Sequence, residues 1–183
     1  YLGAELQGVF SYIASITSIG AILITFGLHQ AYPYFRKAYG KENIYNDYMS
    51  LIIVIYGTYI LVAVVSMFFP IRLRELRTII LLIPILGYSK IVAYVCLVER
   101  PNIRNLWWNI AGILEVGFLI VLWMFTERGY FWAVSIILFA PIIKSIVYTI
   151  ILRPHIRIHK GLTSIAWEMT KYGFFPMLAL LMT

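Results

Sequence analysis

The hydrophobic positions of this chain fall into long runs separated by short polar connections. Six runs approach or exceed the ~20 residues needed to cross ~30 Å of hydrocarbon at ~1.5 Å per residue. They are Val9–Leu28, Met49–Phe69, Ile79–Val98, Leu106–Phe125, Tyr130–Leu152 and Leu162–Met182, the last interrupted by Glu168, Lys171, Gly173 and Pro176. Unpaired backbone groups cannot face lipid, so each run predicts a helix. The connections carry Pro33, Pro70, Pro101 and Pro154 beside polar residues, as expected where helices stop, and only the first, His29–Tyr48, is long. The expected fold is all-α: a polytopic transmembrane helix bundle of about six spans, without a soluble domain.

Composition agrees. Of 183 residues, 62% are hydrophobic and 13% charged, with a mean hydropathy of +0.86, against about half apolar and a quarter charged in a soluble domain. The 14 Tyr, 11 Phe and 5 Trp suit side chains seated at two membrane interfaces. The net charge of +7 does not point to nucleic acid, because the basic residues lie mostly in the connections, as orientation signals and contacts to lipid headgroups. The first, third and fifth connections hold eight Lys and Arg (Arg36, Lys37, Lys41; Arg100, Arg104; Arg153, Arg157, Lys160), and the second and fourth hold four (Arg72, Arg74, Arg77; Arg128). The positive-inside bias therefore places the odd connections in the cytoplasm. With Cys96 as the single cysteine, a disulfide framework and a cysteine-based metal site are excluded. The chain opens on Tyr1 and closes on Thr183 directly after an apolar run, and is expected to be a fragment of a longer protein. Ser11–Leu28 lacks the flanks of a cleavable signal peptide.

Three ionisable residues lie well inside predicted spans: Lys90, Glu115 and Lys144. A charge at such depth costs at least ~2.5–3.5 kcal/mol on insertion scales, so it belongs in a bundle interior or a wet cavity. Counted from the cytoplasmic ends of the predicted helices, all three lie roughly 12–14 Å deep and are expected to form one layer. An ion pair of Glu115 with either lysine, or a lysine snorkelling to the interface, is the alternative. One cation would stay unpaired, which suits an anionic ligand. Pro84 and Gly87 precede Lys90 and Pro141 precedes Lys144, so each lysine is expected beside a helix kink.

The aromatic and basic mixture of His29, Gln30, Tyr32, Pro33, Tyr34, Arg36 and Lys37 reads as a membrane-surface segment. His29 titrates near neutrality in water, although its expected place is an ordinary polar helix end. His155 and His159 have an i, i+4 spacing compatible with a metal on one helical face, but three cations surround them and no acidic or third histidine partner is near, so a surface contact is expected. The sequence has no Gly-rich phosphate loop, nucleophile elbow, His-Glu-x-x-His or close acidic pair. No enzyme activity, cofactor or metal is expected.

The opening Leu2-Gly3-Ala4-Glu5-Leu6-Gln7-Gly8-Val9-Phe10-Ser11, followed by an apolar span and Phe26-Gly27-Leu28-His29-Gln30-Ala31, resembles the second helix of the polysaccharide-export flippases, which share a superfamily with the multidrug antiporters and the peptidoglycan-precursor flippases. Lys171-Tyr172-Gly173-Phe174-Phe175-Pro176-Met177-Leu178 resembles the start of that family's seventh helix, with one extra residue before the proline. The resemblance implies that residues 1–161 are five transmembrane helices of an N-terminal lobe and that 162–183 begin the second lobe. It further implies a V-shaped transporter of the bacterial cytoplasmic membrane. Such a protein works by alternating access, without bond chemistry, around a cationic cavity for a polyprenyl-diphosphate-linked oligosaccharide, in contact with membrane lipids and with H+ or Na+ as the coupling ion. Depth and charge, rather than matched motifs, assign Lys90 and Lys144 to the diphosphate and Glu115 to tuning them or to ion coupling. His29, Gln30, Tyr32 and Arg36 are assigned to a cytoplasmic gate at the headgroups. A multidrug or cation antiporter and a membrane-embedded sugar polymerase or acyltransferase are the alternatives. The former would favour acidic cavity residues; the latter would need a large catalytic loop.

Overall fold

A computed structural model of the chain describes residues 4–68, 74–125, 130–158 and 161–181. Expectations resting on Leu2, Gly3, Pro70, Arg72, Arg128, His159, Lys160 and the 126–129 connection lie outside the described residues. Seven helices follow one another among the described residues: α1 Ala4–Thr25, α2 Leu28–Tyr39, α3 Lys41–Ser66, α4 Arg74–Glu99, α5 Pro101–Phe125, α6 Tyr130–Leu152 and α7 Leu162–Leu181. The fold is an all-α bundle, and five helical stretches are long and apolar enough to cross a membrane: Gln7–Tyr39, Ile44–Ser66, Leu76–Glu99, Pro101–Met124 and Tyr130–Leu152.

One expectation is corrected. The long first connection, His29–Tyr48, is not a loop, because α2 and the first turns of α3 occupy it. The chain turns at Phe26 and Gly27, both with left-handed backbone (φ 44° and 64°), and resumes helix at Leu28. α2 buries Leu28, His29, Ala31, Tyr32 and Phe35 and carries Arg36 and Lys37 in its last turn. That is the i, i+3, i+4, i+7 stripe of an amphipathic helix, which a search for continuous apolar runs passes over. The sixth run forms its helix, α7; among the described residues it is less apolar than those five stretches, because Glu168 and Lys171 interrupt its first half. The helices α4 and α6 run through Pro84 and Pro141 without a break.

Long-range contacts order the two ends of the bundle. At one end the Tyr45 hydroxyl donates to the Leu152 carbonyl (2.6 Å), the His155 N–H to Asn46 Oδ1 (3.0 Å), and Arg36 pairs with Glu99 (2.9 Å). The first, third and fifth connections thus meet there. At the other end Tyr130 bonds Thr78. With the charge bias putting the first end in the cytoplasm, single cysteines at Lys37 and at Phe68, both exposed, in a Cys96→Ala background are expected to react with an impermeant maleimide from opposite sides of the membrane. Labelling of both from one side would reverse or break the topology.

Helix α4 is the centre, packed against α1, α2, α3, α5 and α6. Two glycines permit close approach: a Cβ on Gly20 would meet Ile83, and one on Gly87 would meet Tyr56 and Ile24. Gly87, one of the residues preceding Lys90, is thus a packing glycine. Tyr32, Tyr48, Tyr56 and Tyr148 are fully buried in the main core. Buried phenols need partners, and helix ends leave carbonyls without them. The structure joins the two needs at Tyr56, which donates to the Ile24 carbonyl at the end of α1 (3.3 Å); Tyr48 donates to the Leu28 carbonyl at the start of α2 (2.7 Å). α5 packs on α4 and α6 and exposes Ile113, Val116, Trp123 and Met124, while α3 exposes Leu61, Val62 and Val65. These are faces for lipid.

Candidate functional site: a cationic cavity between α4, α5 and α6

A cavity of about 350 Å³ lies between three helices, lined by Leu86, Ser89, Lys90, Ala93 and Tyr94 of α4, Arg104 and Trp108 of α5, and Pro141 and Lys144 of α6. The spacing explains the lining. Leu86, Ser89, Lys90, Ala93 and Tyr94 recur at three and four residues, one face of α4, and Arg104 and Trp108 stand one turn apart on α5. Lys90 lies nine residues before the end of α4 and Lys144 eight before the end of α6, depths of roughly 12–14 Å from that end. The two intramembrane lysines therefore share one cavity.

Glu115 does not line it. α5 begins at Pro101, five residues before the apolar run. Glu115 thus lies some 21 Å along its helix, deeper than both lysines and about 10 Å beyond Trp108. The three ionisable groups therefore do not share one cavity. Pro101 carries the signal that was missed: proline favours the first position of a helix, so the helix starts there and not at Leu106. Starting α5 at Pro101 moves Arg104 from a loop into the first turn and onto the cavity wall.

The cavity holds three cations and no lining carboxylate. Among the described residues no acid stands in ion-pair range of Lys90, Arg104 or Lys144. Two of the three rest on one ring: the Lys144 ammonium lies 4.0 Å and the Arg104 guanidinium 4.5 Å from the Trp108 ring centre. The ring's negative face partly offsets their charge, by ~0.5–2 kcal/mol per contact. Arg104 Nε is buried without a hydrogen-bond partner. Like charges gathered in a half-buried space repel one another, and an anion would relieve that repulsion.

The residues assigned to a cytoplasmic gate divide. His29 is buried on α2, its ring edge-on to the cavity residue Tyr94 at 4.8 Å, and its Nδ1 has no hydrogen-bond partner. Gln30 is half-buried and its N–H bonds the Gly27 carbonyl (2.9 Å). Tyr32 and Arg36 meet at Glu99: Oε1 accepts the Tyr32 hydroxyl at 2.7 Å and the Arg36 Nε–H at 2.9 Å. The side chain of Glu99, at the end of α4, is only 3% exposed. Nothing in the sequence singles it out, since it lies at a helix end among loop charges. It ties α2 to α4 at the end of the helix. Tyr32→Phe should cost ~1.5–3 kcal/mol, the range for a hydrogen bond to a charged group. A thermal-unfolding midpoint in detergent unchanged from wild type would deny that tie.

His155 sits in the non-helical 153–158 segment, which removes the helical face on which an i, i+4 metal pair depends. Among the described residues no group of three or more His, Cys, Asp or Glu is placed to hold a metal ion. Comparison of the chain with protein-family models, with curated proteins and with solved structures gives no match.

Proposed function

We propose that this chain is the part of a flippase that receives the diphosphate of a polyprenyl-linked oligosaccharide in the bacterial cytoplasmic membrane. The observation that carries the reading is the cavity with Lys90, Arg104 and Lys144 in its wall and no acid among them. A diphosphate leaving water for a half-buried site needs compensating charge, and three cations on three different helices supply it from three directions. A lipid-linked substrate also needs its headgroup held below the membrane surface while its tail stays in the hydrocarbon; the depth of Lys90 and Lys144 answers that need. The flippase-like segments at residues 2–31 and 171–178 support the same reading. On it, α7 opens a second lobe, and rocking of the two lobes about the bound headgroup moves it across. Glu115 then acts from below, limiting the field at Lys144. A carrier of cationic drugs would present carboxylates where this cavity presents lysines and arginine.

Binding by charge is the test. The full-length protein in nanodiscs is expected to bind farnesyl diphosphate at least ~10-fold more tightly than farnesol, a difference of ~1.4 kcal/mol. Affinity should fall in the Lys90→Ala/Lys144→Ala double variant. Equal affinity for the diphosphate and the alcohol would remove the proposal.

A further inference from the structure

The cavity is small for the substrate class proposed above, and one of its walls is aromatic. At about 350 Å³ it stands near the lower end of the range for small-molecule sites, enough for a headgroup and not for an oligosaccharide. Trp108 is 45% exposed, and its face, not its edge, is turned to polar groups, since both Lys144 and Arg104 lie over the ring. We infer that Trp108 is a platform for the first sugar, the one attached to the diphosphate, and that the site recognises this linkage region whatever the length of the glycan beyond it.

The inference rests on the diphosphate reading of the same cavity and adds a residue and a ligand part to it. The two cations on the ring have no carboxylate partner among the described residues. A phosphate oxygen offers each a stronger contact than the ring does, because a full negative charge outweighs a quadrupole. Drawn to the phosphates, Lys144 and Arg104 leave the indole face free. The group then nearest to that face is fixed by covalent connection: the sugar bonded to the second phosphorus. The axial C–H bonds of a pyranose carry partial positive charge and pack on the negative face of an aromatic ring, and indole presents the largest such face. Later sugars lie beyond the reach of this volume and are left to the wider space between lobes. The bare diphosphate, in contrast, needs only the cations.

The experiment measures the affinity of the full-length protein in nanodiscs for three probes: farnesyl diphosphate, farnesyl-diphosphate-linked N-acetylglucosamine, and the same lipid carrying a longer glycan. Each is measured with wild type, Trp108→Phe and Trp108→Leu. The wild type is expected to bind both glycosylated probes equally and more tightly than the bare diphosphate. Trp108→Leu should lose ~10-fold for the glycosylated probes and little for the bare one, and Trp108→Phe, keeping an aromatic face, should retain most of the gain. If Trp108→Leu weakens all three probes alike, Trp108 only positions the two cations and the platform is overturned while the diphosphate reading stands. If affinity climbs with each added sugar, recognition of the linkage region is overturned. If no diphosphate probe binds the wild type, both readings fail together.

Discussion

Lys90→Ala and Lys144→Ala, each introduced into the full-length protein, are expected to abolish surface polysaccharide while the lipid-linked precursor persists and accumulates on the cytoplasmic face. The two side chains line one cavity from α4 and α6 with no acid in ion-pair range among the described residues, so neither is tied up in an ion pair when an anion enters. In surroundings of intermediate polarity, a unit charge ~4 Å from another is worth ~4 kcal/mol, against ~1 kcal/mol in water. Removing one should therefore cost far more than removing the exposed Lys37, which serves as the control. Lys→Arg at either position keeps the charge and should keep part of the export. Accumulation of precursor is the informative readout, because it separates a failure to move the substrate from a failure to make it. Normal polysaccharide in both alanine variants would strip the lysines of their role. Loss of the precursor itself would point instead to a membrane-embedded polymerase or acyltransferase.

How far this site was legible in the sequence depends on what kind of signal each residue gives. Lys90 and Lys144 announce themselves, because a charge inside an apolar run has few places to go. Arg104 and Trp108 do not. Arg104 reads as one more loop cation until α5 is started at Pro101, and a tryptophan near a helix end reads as an interface anchor. Glu115 misleads for the same reason in reverse: its depth was counted from the first apolar residue, whereas the helix begins five residues earlier. Glu99 is hidden by position, and only the folding of α2 back onto α4 buries it. α2 escapes a reading by hydropathy because twelve residues with one buried stripe do not make an apolar run. Hydropathy finds helices that face lipid, and it is blind to a short helix that faces protein.

The segments whose wording resembles a flippase also have a plain structural task, and it yields the last prediction. Gly27 closes the turn between α1 and α2 with φ 64°, and a Cβ there would overlap the Gly173 carbonyl of α7; a Cβ on Gly173 would in turn overlap the Phe26 carbonyl. The two backbones touch, and only hydrogen fits between them. Around this contact Tyr172 stacks on Tyr34, with ring centres 4.3 Å apart and planes at 15°, and stands edge-on to Phe35, while the Tyr39 hydroxyl donates to Glu168 (3.4 Å), so ring contacts and a hydrogen bond seat α7 along α2 beside the glycine pair. Gly173→Val must push the helices apart, since the obstructing atoms are backbone and cannot rotate away; forcing bulk into a packed contact typically costs ~1–3 kcal/mol. Gly27→Val adds the strain of a left-handed, β-branched residue, of order 1–2 kcal/mol more. Both variants are expected to lower the thermal-unfolding midpoint in detergent, Gly27→Val the more, and to detach α7 from α2. Cysteines placed at Tyr34 and Tyr172 in a Cys96→Ala background should be joined by a short bifunctional thiol reagent and lose that cross-link when Gly173→Val is added. Undiminished cross-linking in the valine variant would mean that α7 is not seated on the glycine pair.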